Sequence, residues 1–121
     1  GYSSAASDVY KRQFQDYAFM KLVLNAIGDL PLEMYFTDGM KRLVEHDREA
    51  NVSYIETLRC YLANSMSIAK TAKALFIHRS TLLDRIGRIE RELGCDLKNP
   101  DERLRIEILL KAQQIYDAMG S

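Results

Sequence analysis

Apolar residues recur along most of this 121-residue chain at helical spacing rather than in strict alternation. The clearest stripe is Leu82, Ile86, Ile89 and Leu93, which puts four aliphatic side chains on one face of a helix from Arg79 to Leu93, ended by Gly94. At about 100° per residue, the opposite face holds Ser80, Thr81, Asp84, Gly87, Arg88 and Arg91. A shorter helix precedes it over Ile68 to Phe76, with Ile77 and His78 as a tight connection. Ser53 and Glu56 form an S-x-x-E capping box, and Ile55, Leu58 and Leu62 follow at helical spacing, so a helix is expected from Ser53 to about Asn64. Asn99, Pro100, Asp101 and Glu102 combine an N-cap, a first-turn proline and first-turn acids. They open a helix whose buried stripe is expected to be Leu104, Ile108, Ala112, Ile115 and Met119.

The earlier part of the chain is less decided. Tyr17 to Ile27, stopped by Gly28, reads as a short helix, although Phe19, Leu22, Val23 and Leu24 also suit an apolar strand. Pro31 to Phe36 suggests one helical turn, and Met40 to His46 a second short helix. The chain begins with Gly1, and Ser3 to Gln13 is small, polar and without either period. That stretch resembles a translated cloning adapter, so residues 1–13 are expected to be a non-native or disordered leader, with the sequence natural to the position before Phe14 missing. The expected organisation is then 14–50 as short helical segments closing an upstream regulatory region, and 51–121 as the functional domain.

Composition strengthens the helical reading. Two prolines and six glycines leave few obligatory breaks, and the 47% apolar, 28% charged make-up is that of a globular domain. The expected fold class is all-α, a multi-helix domain. No apolar run approaches the roughly 20 residues that span a bilayer, so no membrane partner is expected. Cys60 and Cys95 lie far apart and read as buried free thiols; without a secretory segment, the cytoplasm is the expected compartment.

A short helix, a tight connection and a longer helix with a polar face make a helix-turn-helix unit, whose second helix is the one that enters a major groove. Ala72 supplies the small side chain that such a crossing needs. The chain's 17 basic and 17 acidic residues cancel, which taken alone argues against nucleic acid. The cancellation hides a segregation. Met66 to Arg91 holds six basic residues and two acids, whereas Phe14 to Ala50 holds four basic residues and seven acids. A basic stretch that coincides with the helix-turn-helix points to double-stranded DNA as the partner. Arg79, Arg85 and Arg88 suit phosphates or guanine edges, Ser80 and Thr81 suit bases or phosphates, and Lys70 and Lys73 suit phosphates.

The run SIAKTAKALFIHRSTLLDRIGRIERELGCDLKNPDERLRIEILLKA, led by LVEHDREANVSYIETLRCYLANSMS, resembles the C-terminal DNA-binding domain of PucR/CdaR-type bacterial transcriptional regulators, whose helix-turn-helix is of the Fis type. ALFIHRSTL is its most specific part. The resemblance implies a sequence-specific and dimeric regulator of catabolic genes, whose small-molecule effector acts through a region absent from this chain. It places Thr71, His78, Arg79, Ser80, Thr81 and Arg85 at the family's positions around the recognition helix. This chain departs from the family where Ser80 replaces an asparagine, Leu83 a basic residue and Asp84 an aromatic one. Asp84 would be repelled by phosphates unless it accepts from a cytosine amino group. Ser65, Met66 and Ser67 stand where glycine and asparagine are usual, a change confined to a turn.

Plainer readings compete at several positions. Arg88 and Arg91 could form a solvated face paired with Glu90 or Glu92. His78 reads as a cap or packing residue, His46 as a surface residue, the methionines as gap-filling groups and Tyr54 and Tyr61 as packing groups. No phosphate loop, H-E-x-x-H or G-x-S-x-G occurs, so no catalysis, metal or cofactor is expected. The alternative to DNA binding is a helical protein-interaction or dimerisation module, for which the segregated charge would have no purpose.

Overall fold

The computed structural model describes residues 2–120. Among them there are six α-helices and no strand: α1 (Tyr2–Ile27), α2 (Asp38–Glu49), α3 (Tyr54–Ala63), α4 (Ile68–Leu75), α5 (Arg79–Leu93) and α6 (Pro100–Ala118), with one 3-10 turn (Leu32–Tyr35) between α1 and α2. The all-α fold is as expected, and α5 and its terminator fall where the periodicity places them. Gly1 lies outside the described residues.

The N-terminal expectations need correction. Helix α1 takes in the stretch up to Gln13 that reads as irregular, and it excludes the strand alternative for Tyr17 to Ile27. Yet residues 4–19 are all exposed, in keeping with a sequence that carries no buried stripe. Among the described residues of α1 only Val23 and Ile27 are buried, just before Gly28 ends the helix at φ 68°. Helix α2 is longer than Met40 to His46, because Thr37 accepts from the Met40 amide (3.1 Å) and starts the helix at Asp38.

Helix α2 also joins the core. Met40 and Leu43 are fully enclosed together with Leu58 of α3 and Leu82 and Ile89 of α5, so the hydrophobic interior runs across residue 50, where the upstream region is expected to close. Helix α3 packs against α2, α4, α5 and α6, while α6 also meets α1 and the 3-10 turn. The closest approach is between α2 and α5. A Cβ built on Gly39 would lie 2.1 Å from the Leu93 carbonyl oxygen, so only glycine lets the two backbones touch there.

Helix α6 starts as the sequence indicates, with Asn99 Oδ1 accepting from the Asp101 and Glu102 amides, but its buried face is Ile106, Leu109, Leu110 and Ala112. Leu104, Ile108 and Met119 of the expected stripe are 55%, 51% and 59% exposed. The apolar residues of α6 nearly encircle it, and periodicity alone does not choose among faces that are all apolar.

Two helix ends depart from the usual chemistry. Between α3 and α4, Ser65 and Met66 both take positive φ (54° and 62°), and the Met66 amide reaches back to the Tyr61 carbonyl at 2.8 Å. At the end of α4 the Ile77 amide donates to the Ala72 carbonyl (3.0 Å) in the pattern of a Schellman motif, with Phe76 in the left-handed position at φ 55°. A side chain in that region costs on the order of 1–2 kcal/mol relative to glycine. The turn that appears a tolerant one in the sequence is thus strained.

Two substitutions test this packing. Gly39→Ala, which helix propensity alone would favour by up to about 1 kcal/mol, is expected to destabilise the fold by about 2 kcal/mol in chemical denaturation. Ser65→Gly is expected to stabilise it by about 1 kcal/mol, since it relieves a left-handed residue whose side chain is exposed.

Candidate nucleic-acid interface

Helix α4 begins with Ser67, whose hydroxyl accepts from the Lys70 amide at 3.2 Å. It buries Thr71 and Ala72 and turns at Phe76 into α5. Ala72 is 3% exposed, as a close crossing demands. The stripe Leu82, Ile86, Ile89 and Leu93 is buried along its whole length, which fixes the rotation of α5 about its own axis. That rotation leaves Arg79, Ser80, Thr81, Asp84, Arg88 and Arg91 exposed on the outer face, with Leu83 beside them and Gly87 half-buried.

The candidate residues separate into two groups. Lys70 and Lys73 are exposed on α4, and His78, Arg79, Ser80 and Thr81 are exposed at the start of α5. His78 occupies the N-cap position, but its side chain makes no capping bond, contrary to the expected role. The first amides of α5 are therefore without a side-chain cap, and with the helix dipole they favour an anion at that end. Thr71, in contrast, has no exposed surface, and its hydroxyl has no hydrogen-bond partner among the described residues. A side chain so enclosed reaches no DNA; Thr71 packs α4 onto the core. Arg85 is half-buried and turned back toward α3, where its guanidinium donates to Thr57 Oγ1 at 3.3 Å. It ties the recognition helix to α3 instead of standing free on the outer face.

Asp84 and Arg88 pair across one turn at 3.2 Å. The partner of Arg88 is thus Asp84, one turn earlier, and not Glu90 or Glu92. Both side chains are more than half exposed, so the pair adds little to stability. Its effect is on the surface potential, because it offsets one of the cations on the outer face.

Behind the interface sits a polar anchor that local pattern does not reveal. The Asp47 carboxylate accepts from the Tyr54 amide (2.7 Å), the Ile55 amide (3.0 Å) and the Ser53 hydroxyl (2.8 Å), so a residue of α2 caps α3. His46 Nδ1 lies 2.9 Å from the same carboxylate, and its ring stacks on Tyr54 with centroids 3.6 Å apart. His46 is therefore half-buried and not the surface residue its acidic flanks suggest. Burial alone would raise the Asp47 carboxyl, but the bonds from His46, Ile55, Tyr54 and Ser53 outweigh it and hold the group below its ordinary value of 3.8. Arg42 adds a second tie from α2, donating to the Glu92 carbonyl at 2.8 Å near the end of α5. In sequence Gly39 stands just before the expected helix of Met40 to His46, so no local pattern marks the place where α2 and α5 meet. Cys60 and Cys95 are free thiols, half-buried where full burial is expected, and burial pushes the Cys95 thiol up. Among the described residues no cluster of three metal-ligating side chains occurs, and no helix is long and apolar enough to cross a membrane.

A capped short helix, a left-handed turn and a longer helix that buries one stripe and exposes a mostly basic face define a helix-turn-helix unit of the DNA-binding kind. Residues 54–112 match the PucR C-terminal helix-turn-helix domain, a domain of transcription regulators. The chain is 32% identical over 84 residues to the purine catabolism regulatory protein of Bacillus subtilis, which covers 69% of this chain and 16% of that protein. It is 40% identical over 58 residues to the carbohydrate diacid regulator of Escherichia coli (48% and 15%), and 26% identical over 81 residues to the DNA-binding transcriptional activator AdeR of Bacillus subtilis (67% and 19%). The chain therefore spans less than a fifth of these relatives. No solved structure matches it.

The Asp47 anchor makes a test with a definite sign. A carboxyl held below its unfolded value stabilises the fold above that value, and the contribution is lost as pH falls through the folded one. Asp47→Ala is expected to cost about 1–3 kcal/mol at neutral pH. In denaturation followed from pH 7 to pH 2, the gap between wild type and variant is expected to close only below the ordinary carboxylate range.

Proposed function

We propose that this domain binds double-stranded DNA sequence-specifically, inserting α5 into the major groove from its Arg79 end, as the reading head of a bacterial regulator of the PucR/CdaR type. The observation that carries the reading is the orientation of α5, whose buried stripe leaves Arg79, Ser80, Thr81, Asp84 and Arg88 together on one exposed face. Arg79 and Thr81 are assigned to base edges, Arg88 to a guanine or phosphate as Asp84 permits, and Lys70, Lys73 and His78 to the sugar–phosphate backbone. Thr71 and Arg85 support the helix from behind. One such unit reads a half-site, so a homodimer is part of the proposal, as is an effector sensed by a region outside this chain. The names of the relatives, regulators of purine and carbohydrate diacid metabolism, suggest control of catabolic genes.

One observation favours the reading as an interaction module. Phe19, Leu62, Leu75, Leu104 and Ile108 line an open apolar groove of about 700 Å³ between α1, α3, α4 and α6. A second copy of this chain seated there would reconcile the two readings, and sedimentation at the monomer mass at high concentration in analytical ultracentrifugation would remove it.

Fluorescence anisotropy of a duplex recovered by selection from randomised DNA, repeated across a salt series, tests the principal reading. Affinity is expected to fall steeply with salt, the slope reporting the phosphates neutralised. Absence of any salt-dependent association at low ionic strength overturns it. Arg79→Ala and Thr81→Ala are expected to weaken the selected duplex by roughly 1–3 kcal/mol each, whereas Lys73→Ala weakens selected and random duplexes alike. Equal losses on both duplexes for all three variants would refute the assignment of roles.

A further inference from the structure

Helices α1, α5 and α6 are each followed by a glycine in the left-handed conformation: Gly28, Gly94 and Gly120 at φ 68°, 65° and 76°. Helix α4 ends in the same conformation at Phe76, φ 55°. Glycine adopts that backbone freely and a phenylalanine does not, so local stability argues for glycine or asparagine at this site. Packing does not argue for the ring either. Phe76 is 94% exposed, the most exposed of the large apolar side chains among the described residues, and it lies outside both the core and its partly buried margin. The other strained non-glycine residues have simpler accounts: Met66 packs against the core, and Ser65 is small and polar.

A strained backbone that presents a fully exposed aromatic ring is a feature that neither folding nor burial explains, and such outliers gather at sites of contact. The position of the ring indicates the contact. Phe76 stands two residues before His78, the N-cap of α5, and three before Arg79, with the exposed Lys73 one turn back on α4. In a helix-turn-helix the start of the second helix points toward the base edges, so the turn leading into it runs beside the groove. Flanking cations suit phosphates, and an apolar ring among them suits what lies between phosphates, the deoxyribose faces and the thymine methyl groups.

We propose that Phe76 is a DNA-contacting residue, which lays its ring against the apolar edge of the groove, on deoxyribose or a thymine methyl, beside the entry point of α5. The inference rests on the proposed DNA-binding role and adds an apolar contact to a surface otherwise read through charge and hydrogen bonds. It also gives the strain a purpose, since the left-handed turn aims the ring outward, away from the core.

The test uses the whole chain and a duplex selected with the wild-type protein from randomised DNA. Phe76→Gly and Phe76→Asn are compared with wild type in thermal melts and in anisotropy titrations over a salt series. Both variants are expected to melt at the same temperature or higher, because each suits the left-handed site better. Both are expected to bind the selected duplex about tenfold more weakly, with the salt slope unchanged because no cation is lost. Undiminished affinity in both variants overturns the proposal. So does a loss of affinity that accompanies a lower melting temperature, which would make the ring a packing group. Undiminished affinity with an altered oligomeric state in size-exclusion chromatography would assign the ring to a second copy of the chain instead. If the wild-type protein enriches no duplex, the DNA-binding reading itself fails, before any variant is compared.

Discussion

A helix that offers one face to DNA must be held firmly by the other, and in this protein the hold is closest where α2 meets the end of α5. With no side chain on Gly39, the two backbones come together at the Leu93 carbonyl, and Met40 and Leu43 close over Leu82 and Ile89 with no exposed surface left on any of the four. Arg42 fastens the same corner through the Glu92 carbonyl. Helix α5 is thereby clamped at its far end by α2 and at its near end by α4, and its rotation follows. The exposed face of the recognition helix is thus a consequence of what is buried behind it.

Polar contacts reinforce that arrangement in places where apolar packing leaves orientation open. Asp47 caps α3 from a neighbouring helix, and Arg85 ties α5 to the same helix through Thr57, whose own hydroxyl donates to Ser53. The end of α2, the start of α3 and the middle of α5 are therefore linked by a short chain of hydrogen bonds. Each of these bonds satisfies a group that burial would otherwise penalise. On the outer face the same chemistry acts differently. Asp84 and Arg88 pair at the solvent-exposed surface, where the interaction contributes little to folding but lowers the positive potential offered to a polyanion.

Much of this was legible in the sequence because it rests on local rules. Helix α5 carries an uninterrupted apolar stripe and a terminal glycine, and α3, α4 and α6 begin at Ser53, Ser67 and Asn99, whose side chains cap them. The helix-turn-helix follows from those elements in order. What local pattern does not reveal depends on residues far apart in the chain. The face of α6 that is buried was not readable, because Leu104 and Ile108 are as apolar as Leu109 and Leu110. Asp47 and His46 look like members of a charged surface run, and only the arrival of Tyr54 against them gives them their roles. Arg85 reads as a DNA contact on the strength of its charge and its neighbours, but Thr57 draws it inward. Phe76 carries no signal in sequence for the opposite reason, since an aromatic residue beside a helix is ordinarily a core group.

The family match covers residues 54–112, yet the interior that gives α5 its orientation includes Met40 and Leu43, well before that stretch. The segment recognisable by descent is in this sense smaller than the segment that folds. The back wall of α5 is supplied by α2, so a change of tilt or register in α2 would move the exposed face of α5 without alteration of any residue on that face. The placement of that face is a property of two sequences at once: the one exposed along α5, and the one that holds it there.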